Sequence, residues 1–226
     1  MSSKHLLNEI IEWDVQNWSV ALQYWKQNTN MLLSSANALE IGCKNGGLSL
    51  WAAMNGIQIL CTDLNGPTNE AIEKHKRWNT SHLIKYDALN VLDLPHLGKF
   101  DIALFKSVLG SLGNASMQKR AITKIHTALK RNGELWFAEN LIASQAHQFL
   151  RKKYTNWGRT WKYVSIQEMD EYLSIFSEVQ YITVGFLGTL GRVEKQRGFL
   201  GKLDRLFMDR LVPSDWRYII IGVAKK

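Results

Sequence analysis

The 226-residue chain has only two cysteines, Cys43 and Cys61, and neither belongs to a C-x-x-C pair. So few thiols exclude a disulfide framework and a four-thiolate metal site, and leave reduced cysteines as the reading. With three prolines and no repeated or compositionally biased tract, the chain does not read as fibrous, solenoid or disordered. No apolar run approaches the roughly 18 residues of a membrane span, and the opening MSSKHLLNEIIEWD carries acids where a signal peptide needs an apolar stretch. A cytoplasmic protein without a membrane span is therefore expected. What is present is a chain 46% hydrophobic and 21% charged, long enough to bury a core without staples.

The net charge of +8 is unevenly spread. Residues 1–100 hold 8 Lys/Arg against 9 Asp/Glu, whereas residues 101–226 hold 20 against 11. The second half thus favours an anionic partner: a phosphate-bearing small molecule, a nucleic acid or an acidic membrane surface.

In the first 30 residues, Leu6, Leu7, Ile10, Ile11, Val15, Trp18, Leu22 and Trp25 recur at helical intervals and predict a helical arm. From Asn37 onward, strand-like runs alternate with helix-like ones: ANALEIGC, LSLWAAMNG, IQILCTD, PTNEAIEKHKRWN, HLIKYDAL, FDIALFKSV, MQKRAITKIHTALKRNG and ELWFAENL. Pro67 is expected to open one helix and Gly133 to close another. Helices around 144–156 and 165–176, a strand SEVQYITVGFL, a basic helix near 192–211 and a last strand WRYIIIGVAK complete the chain. The alternation predicts an α/β fold, a Rossmann-like, mostly parallel sheet of seven strands with helices on both faces. No Pro-, Gly- or Ser-rich linker divides the chain, so residues 1–226 read as one domain. It comprises an N-terminal helical arm (1–35), a core (36–140) and a region of further helices and terminal strands (141–226).

The stretch ALEIGCKNGGLSL puts Gly42 and Gly46 between the first strand and its helix, where such folds bind nucleotides. A G-x-G-x-x-G fingerprint fails at Lys44, which argues against nicotinamide and flavin dinucleotides, and no P-loop string occurs. Glu40 at the strand tip suits a ligand with positive charge better than a pyrophosphate. Asp63 ends the second strand, where a carboxylate can accept from both ribose hydroxyls, and Asp87 follows the third.

Together, E-I-G-C-K-N-G, the acid in CTDLN, Y-D-A and F-D-I-A-L-F-K-S-V-L resemble the class I S-adenosylmethionine-dependent methyltransferases over residues 36–140. The resemblance implies a sheet ordered 3-2-1-4-5-7-6 with strand 7 antiparallel. It also implies that S-adenosyl-L-methionine is the cofactor, leaving S-adenosyl-L-homocysteine. Carried over by position, Glu40, Gly42, Cys43 and Gly46 form the cofactor loop, Asp63 with Leu64 meets the ribose, and Asp87 with Ala88 faces the adenine. Lys106 and Ser107 lie beside the methionyl part, and Trp18 and Tyr24 are lid contacts.

The D/N-P-P-Y/F string of amide and amino nitrogen methylation is absent, since the chain reads F-K-S-V there. No cysteine lies near strands four or five to act as a nucleophile towards pyrimidine carbon. A hydroxyl or carboxylate oxygen is the remaining acceptor, on a small, anionic or sugar-like molecule. A hydroxyl acceptor needs a base, for which His147, Lys106 and Glu139 are the three candidates. No His and carboxylate spacing calls for a metal. Residues 147–165 interleave Arg151, Lys152, Lys153, Arg159 and Lys162 with Tyr154, Trp157, Trp161 and Tyr163, a mixture that can cover a cleft and hold an anionic acceptor. The basic stretch GRVEKQRGFLGKLDRLF would extend that wall. RNA methylation and cofactor binding without turnover are the competing readings.

Overall fold

Along the central strands, successive apolar side chains point to opposite faces and both sets are buried, so the sheet must be covered twice. The computed structural model describes residues 3–95, 97–154 and 161–226. Seven strands form one sheet in the order 3-2-1-4-5-7-6: β1 (Asn37–Ile41), β2 (Gln58–Asp63), β3 (Ile84–Ala88), β4 (Phe100–Lys106), β5 (Leu129–Asn140), β6 (Glu178–Val184) and β7 (Ile219–Lys225). Strands β1 to β5 pair in parallel, and β7 runs antiparallel to β5 and β6. The order and the reversed last strand are those the resemblance implies.

On one face, Ala38, Ile59, Ile102, Leu104, Trp136 and Ile221 pack under α1 (Ser3–Ile11), α3 (Val20–Asn28) and α4 (Gly47–Met54). On the other, Leu39, Ala103, Phe105, Leu135, Phe137 and Ile220 meet α6 (Ala115–Ala128) and α8 (Ile166–Leu173). Trp25, Trp51 and Trp136 anchor the first layer, with ring centroids 5.8 to 6.1 Å apart. Aromatic contacts of this kind add about 0.5–1.5 kcal/mol per pair to burial. The Trp25 indole also donates to the Gly222 carbonyl at 3.1 Å, tying the arm to β7.

The structure corrects four local expectations. The N-terminal arm is three helices, with α2 (Val15–Trp18) set off from α1 by left-handed Glu12 (φ +73) and Asp14 (φ +44). Helix α5 (Asn69–Arg77) is capped by Thr68, whose hydroxyl accepts from Ala71 N, so Pro67 lies just outside it. Gly133 does not stop α6, which ends at Ala128. Residues 129–133 already belong to β5, where the register against β4 shifts between Phe100 and Ile102. The basic C-terminal helix is α9 (Glu194–Leu203), one π-helical stretch at Asp204–Met208, and the short α10 (Asp209–Leu211). With α7 (Gln145–Tyr154), these elements stand at the carboxyl ends of the strands, where open α/β sheets bind ligands.

Candidate active site

The loop after β1 can take its shape only with glycine at two places. Gly42 has φ +66, and a Cβ there would lie 2.7 Å from Val108 Cγ2. Gly46 has φ +70, and a Cβ there would lie 2.6 Å from the His75 ring. The loop is then pinned from three sides. Lys44 N donates to Asp63 Oδ2 at 2.8 Å, Cys43 N to the Thr62 carbonyl at 2.8 Å, and His75 Nε2 to the Gly46 carbonyl at 2.8 Å. A carbonyl only accepts, so His75 carries its hydrogen on Nε2, and its Nδ1 accepts a hydrogen bond from the Tyr86 hydroxyl at 3.0 Å. Burial lowers its pKa and keeps it neutral.

Glu40 is buried under this loop and accepts from Ser49 N at 2.9 Å and from the Ser49 hydroxyl. Burial pushes its carboxyl up to about 7, against the pull of those hydrogen bonds. The end of α1 covers the start of α4 so closely that a Cβ on Gly47 would sit 2.0 Å from the Ile10 carbonyl oxygen. Glu12, between α1 and α2, pairs with Lys44 at 3.3 Å and with the buried Lys74 at 3.5 Å.

Beyond the loop the site has two parts. At the tips of β2 and β3, Asp63 and Ala88 are register partners. Leu64, Asp87 and Ala88 are exposed there, forming an open shelf. Each Asp63 oxygen accepts one backbone N–H, from Lys44 and from Leu64, and keeps capacity for another donor. Inward lies a cavity of about 1070 Å³ whose wall includes Glu40, Gly42, Cys43, Lys106, Ser107 and His147. Among the described residues, Lys44, Lys106, Arg151, Arg192 and Arg197 line it against two carboxylates, Glu12 and Glu40.

Lys106 projects into the cavity from the end of β4, 3.4 Å from the Ile11 carbonyl, and burial lowers its pKa. Its ammonium lies 5.3 Å from the Trp18 ring centroid. Trp18 is therefore not on the cavity wall. It is fully buried behind Lys106, whereas its neighbour Trp13 lines the cavity. Tyr24, on α3, packs against the core and does not line the cavity. Ser107 holds a left-handed backbone (φ +58) and its hydroxyl accepts from Asn140 Nδ2 at 2.6 Å. Strained non-glycine residues of this kind gather at functional sites.

Two of the candidate bases are occupied. Glu139 is fully buried and takes three backbone amides, from Val108 at 2.8 Å, Leu109 at 2.7 Å and Asn140 at 2.8 Å. Burial raises its carboxyl to about 7, but it holds the loop after β4 and does not line the cavity. Strand alternation explains this: Glu139 points to one side of β5 and Asn140, which had not been singled out, points into the cavity. His147 does line the cavity. Its Nε2 donates to the Phe186 carbonyl at 2.7 Å and its Nδ1 faces the Ser144 hydroxyl at 2.6 Å, so neither nitrogen is open to an acceptor.

The basic and aromatic segment delivers Arg151, Trp161 and Tyr163 to the cavity. Arg151 stacks 4.1 Å over the Tyr163 ring and donates to the Leu141 carbonyl at 2.7 Å. Lys162 instead pairs with Glu168 at 2.5 Å. Trp157, Arg159 and the Tyr154 side chain lie outside the described residues. Glu12, Trp13 and the loop Thr189–Gly191 were missed, because only the folded arm and the β6 to α9 connection bring them to the site. Among the described residues, no His, Cys, Asp and Glu cluster could hold a metal, and no helix is long and apolar enough to cross a membrane.

The arm and the C-terminal helix are clasped together over the site. Glu194 accepts from Asp14 N at 2.9 Å and Val15 N at 2.8 Å, and Asp204 accepts from Leu187 N, Gly188 N and Asn17 Nδ2. The Tyr218 hydroxyl donates to the fully buried Asp14.

Residues 39–135 match the model of a methyltransferase domain. A comparison with curated protein sequences finds no match. The fold is shared with the MccD protein at 14% identity and TM-score 0.65, covering 92% of this chain and 96% of that one. It is shared with a SAM-dependent methyltransferase of Thermotoga maritima at 16% identity and TM-score 0.62, covering 99% and 98%. Phosphoethanolamine N-methyltransferase 2 of Haemonchus contortus, solved with S-adenosyl-L-methionine, aligns at 15% identity and TM-score 0.67, over 92% of this chain and 52% of that one.

Proposed function

We infer that residues 39–135, which match the model of a methyltransferase domain, are of the class I, S-adenosylmethionine-dependent kind. From that premise we propose that the chain binds S-adenosyl-L-methionine and methylates an oxygen of a small, anionic or sugar-like acceptor. The observation that carries this reading is a site with two chemically distinct parts that meet at Lys44: an open shelf with a half-satisfied Asp63, and a cavity lined, among the described residues, by five cations and two acids.

The residues present fit the cofactor. Gly42 and Gly46 let the loop pack against Val108 and His75 through left-handed backbone, which leaves Gly42 on the cavity wall. The covered start of α4 and the acid Glu40 suit a cationic ligand and not a pyrophosphate. Asp63 has lone pairs for the ribose hydroxyls, with Leu64, Asp87 and Ala88 around the base and Cys43, Lys106 and Ser107 at the methionyl end. When bound, the cofactor would supply an electrophilic methyl group on a sulfonium.

The protein's share is alignment and one proton. The cavity would hold donor and acceptor near contact, a positioning effect that can supply about 7–11 kcal/mol of such a barrier. Of the three candidate bases, Lys106 is the one whose donor atom faces the cavity without a full set of partners. Burial favours its neutral amine, which can take a hydroxyl proton and adds less repulsion to a nearby sulfonium. His147 and Glu139 act as positioning residues, the first holding α7 to the Phe186 loop and the second holding the loop after β4. Arg192 and Arg197 offer the anionic group of the acceptor its charge partners.

Calorimetric titration with S-adenosyl-L-homocysteine beside NADH tests the cofactor, with selective micromolar binding of the first expected. A labelled-methyl screen of small anionic acceptors and of RNA then tests turnover. Transfer to RNA with steep salt dependence, or no transfer to any acceptor, would replace this reading with one of its two competitors.

A further inference from the structure

We infer that the C-terminal helix is a docking surface for an anionic membrane. An amphipathic helix on a globular protein normally turns its apolar side inward. The segment 192–211 does the reverse. Its acids are turned to the protein: Glu194 takes the Asp14 and Val15 amides, Asp204 those of Leu187 and Gly188, and Asp209 that of Gly185. The outward side carries Phe199 (64% exposed), Leu206 (63%), Phe207 (54%) and Leu211 (75%). Lys195, Lys202, Arg205 and Arg210 are exposed among them, and among the described residues only Arg205 has an acid within 4 Å, Asp209 at 3.9 Å. Trp216, just beyond α10, is also half exposed.

Large apolar groups interleaved with cations on one helix are the pattern that lies in a lipid interface, apolar groups among the acyl chains and ammonium or guanidinium groups at anionic headgroups. Charge complementarity selects this occupant. A second copy of the chain would bring the same cations face to face, and a nucleic acid would leave Leu206, Phe207 and Leu211 without an apolar partner. The patch adjoins the cavity wall, since Leu190, Gly191, Arg192 and Arg197 belong to that wall. Docking therefore sets the site beside the headgroup layer. The inference stands apart from the cofactor reading.

The test is cosedimentation of the full chain with vesicles of phosphatidylcholine alone and of phosphatidylcholine mixed with phosphatidylglycerol, over a salt series. Binding to the mixed vesicles that weakens with salt is expected. The variant K195Q/K202Q/R210Q should bind about 100-fold more weakly, at about fivefold per cation. F199S/L206S/L211S should lose at least about tenfold at low and high salt alike. Both variants should keep the wild-type circular dichroism and the wild-type S-adenosyl-L-homocysteine titration, which separates a failure of docking from a failure of the cofactor reading. Absence of binding to mixed vesicles overturns the inference, as does binding that either variant leaves unchanged. It is also overturned if light scattering shows a dimer that F199S/L206S/L211S dissolves, or if RNA binds and only the charge variant abolishes it.

Discussion

Replacing Asp14 by asparagine should make the chain's stability less dependent on pH, by an amount the structure sets. Asp14 is fully buried where the arm meets β7 and the C-terminal helix. Burial raises its pKa from 3.8 to about 7. The nearby carboxylates of Glu194 and Asp204 add to the rise, while Tyr218 and Arg197 oppose it. A folded-state value above the unfolded one means a contribution fully present below about pH 4 and lost as pH climbs through about 7. At 1.36 kcal/mol per unit, the accumulated cost is about 1.7 kcal/mol near pH 5 and about 4.3 kcal/mol near pH 8.5, a swing of about 2.7 kcal/mol. Asp14→Asn cannot ionise and still offers an oxygen to the Tyr218 hydroxyl. Its stability relative to wild type should therefore improve by that swing between the two pH values. Glu40 and Glu139, also raised to about 7, titrate in both proteins and cancel in the difference. Guanidinium unfolding followed by tryptophan fluorescence at the two pH values measures it. A difference that stays constant within about 1 kcal/mol would refute the burial argument for Asp14.

Three further outcomes are expected at the site. Asp63→Ala should weaken S-adenosyl-L-homocysteine by about 1.5–3 kcal/mol in calorimetry, through lost charge-assisted hydrogen bonds and a loosened Lys44 amide. Gly42→Ala should cost about 1–3 kcal/mol of stability and most of the cofactor affinity. The double variant with Val108→Ala should recover the steric part only, leaving the cost of φ +66, as thermal unfolding and titration would show. Lys106→Met should lower turnover by about 100-fold or more with little change in S-adenosyl-L-homocysteine affinity. Wild-type turnover should rise with pH as Lys106 loses its proton, with a midpoint below that of a free lysine, and the variant's profile should lack that limb.

Much of the architecture was readable along the chain because each part of it is a local pattern. Alternating apolar faces mark strands, three-and-four spacing marks helices, and regular alternation of the two requires a doubly covered parallel sheet. The motifs after β1, β2, β3 and β4 were legible for the same reason, since each is a strand tip followed by a turn whose residue types are constrained on the spot. Composition along the chain likewise put the basic excess in the second half. Other features were decided only when distant segments met. Glu139 and Asn140 are neighbours, yet the pleat sends one to three backbone amides and the other into the cavity. His147 looked like a base until Phe186 and Ser144 took both its nitrogens. Trp18 went behind Lys106 and Trp13 to the cavity because Glu12 and Asp14 turn the arm through left-handed backbone, and no period in the sequence encodes that turn. Local pattern along the chain set the sheet, its loops and the sign of its charge. Which side chains are free to react, and which face of the last helix is left to the solvent, depended on partners about 180 residues away, such as Glu194 on the amides of Asp14 and Val15. Burial and hydrogen-bond satisfaction are properties of the assembled molecule and not of any stretch of it.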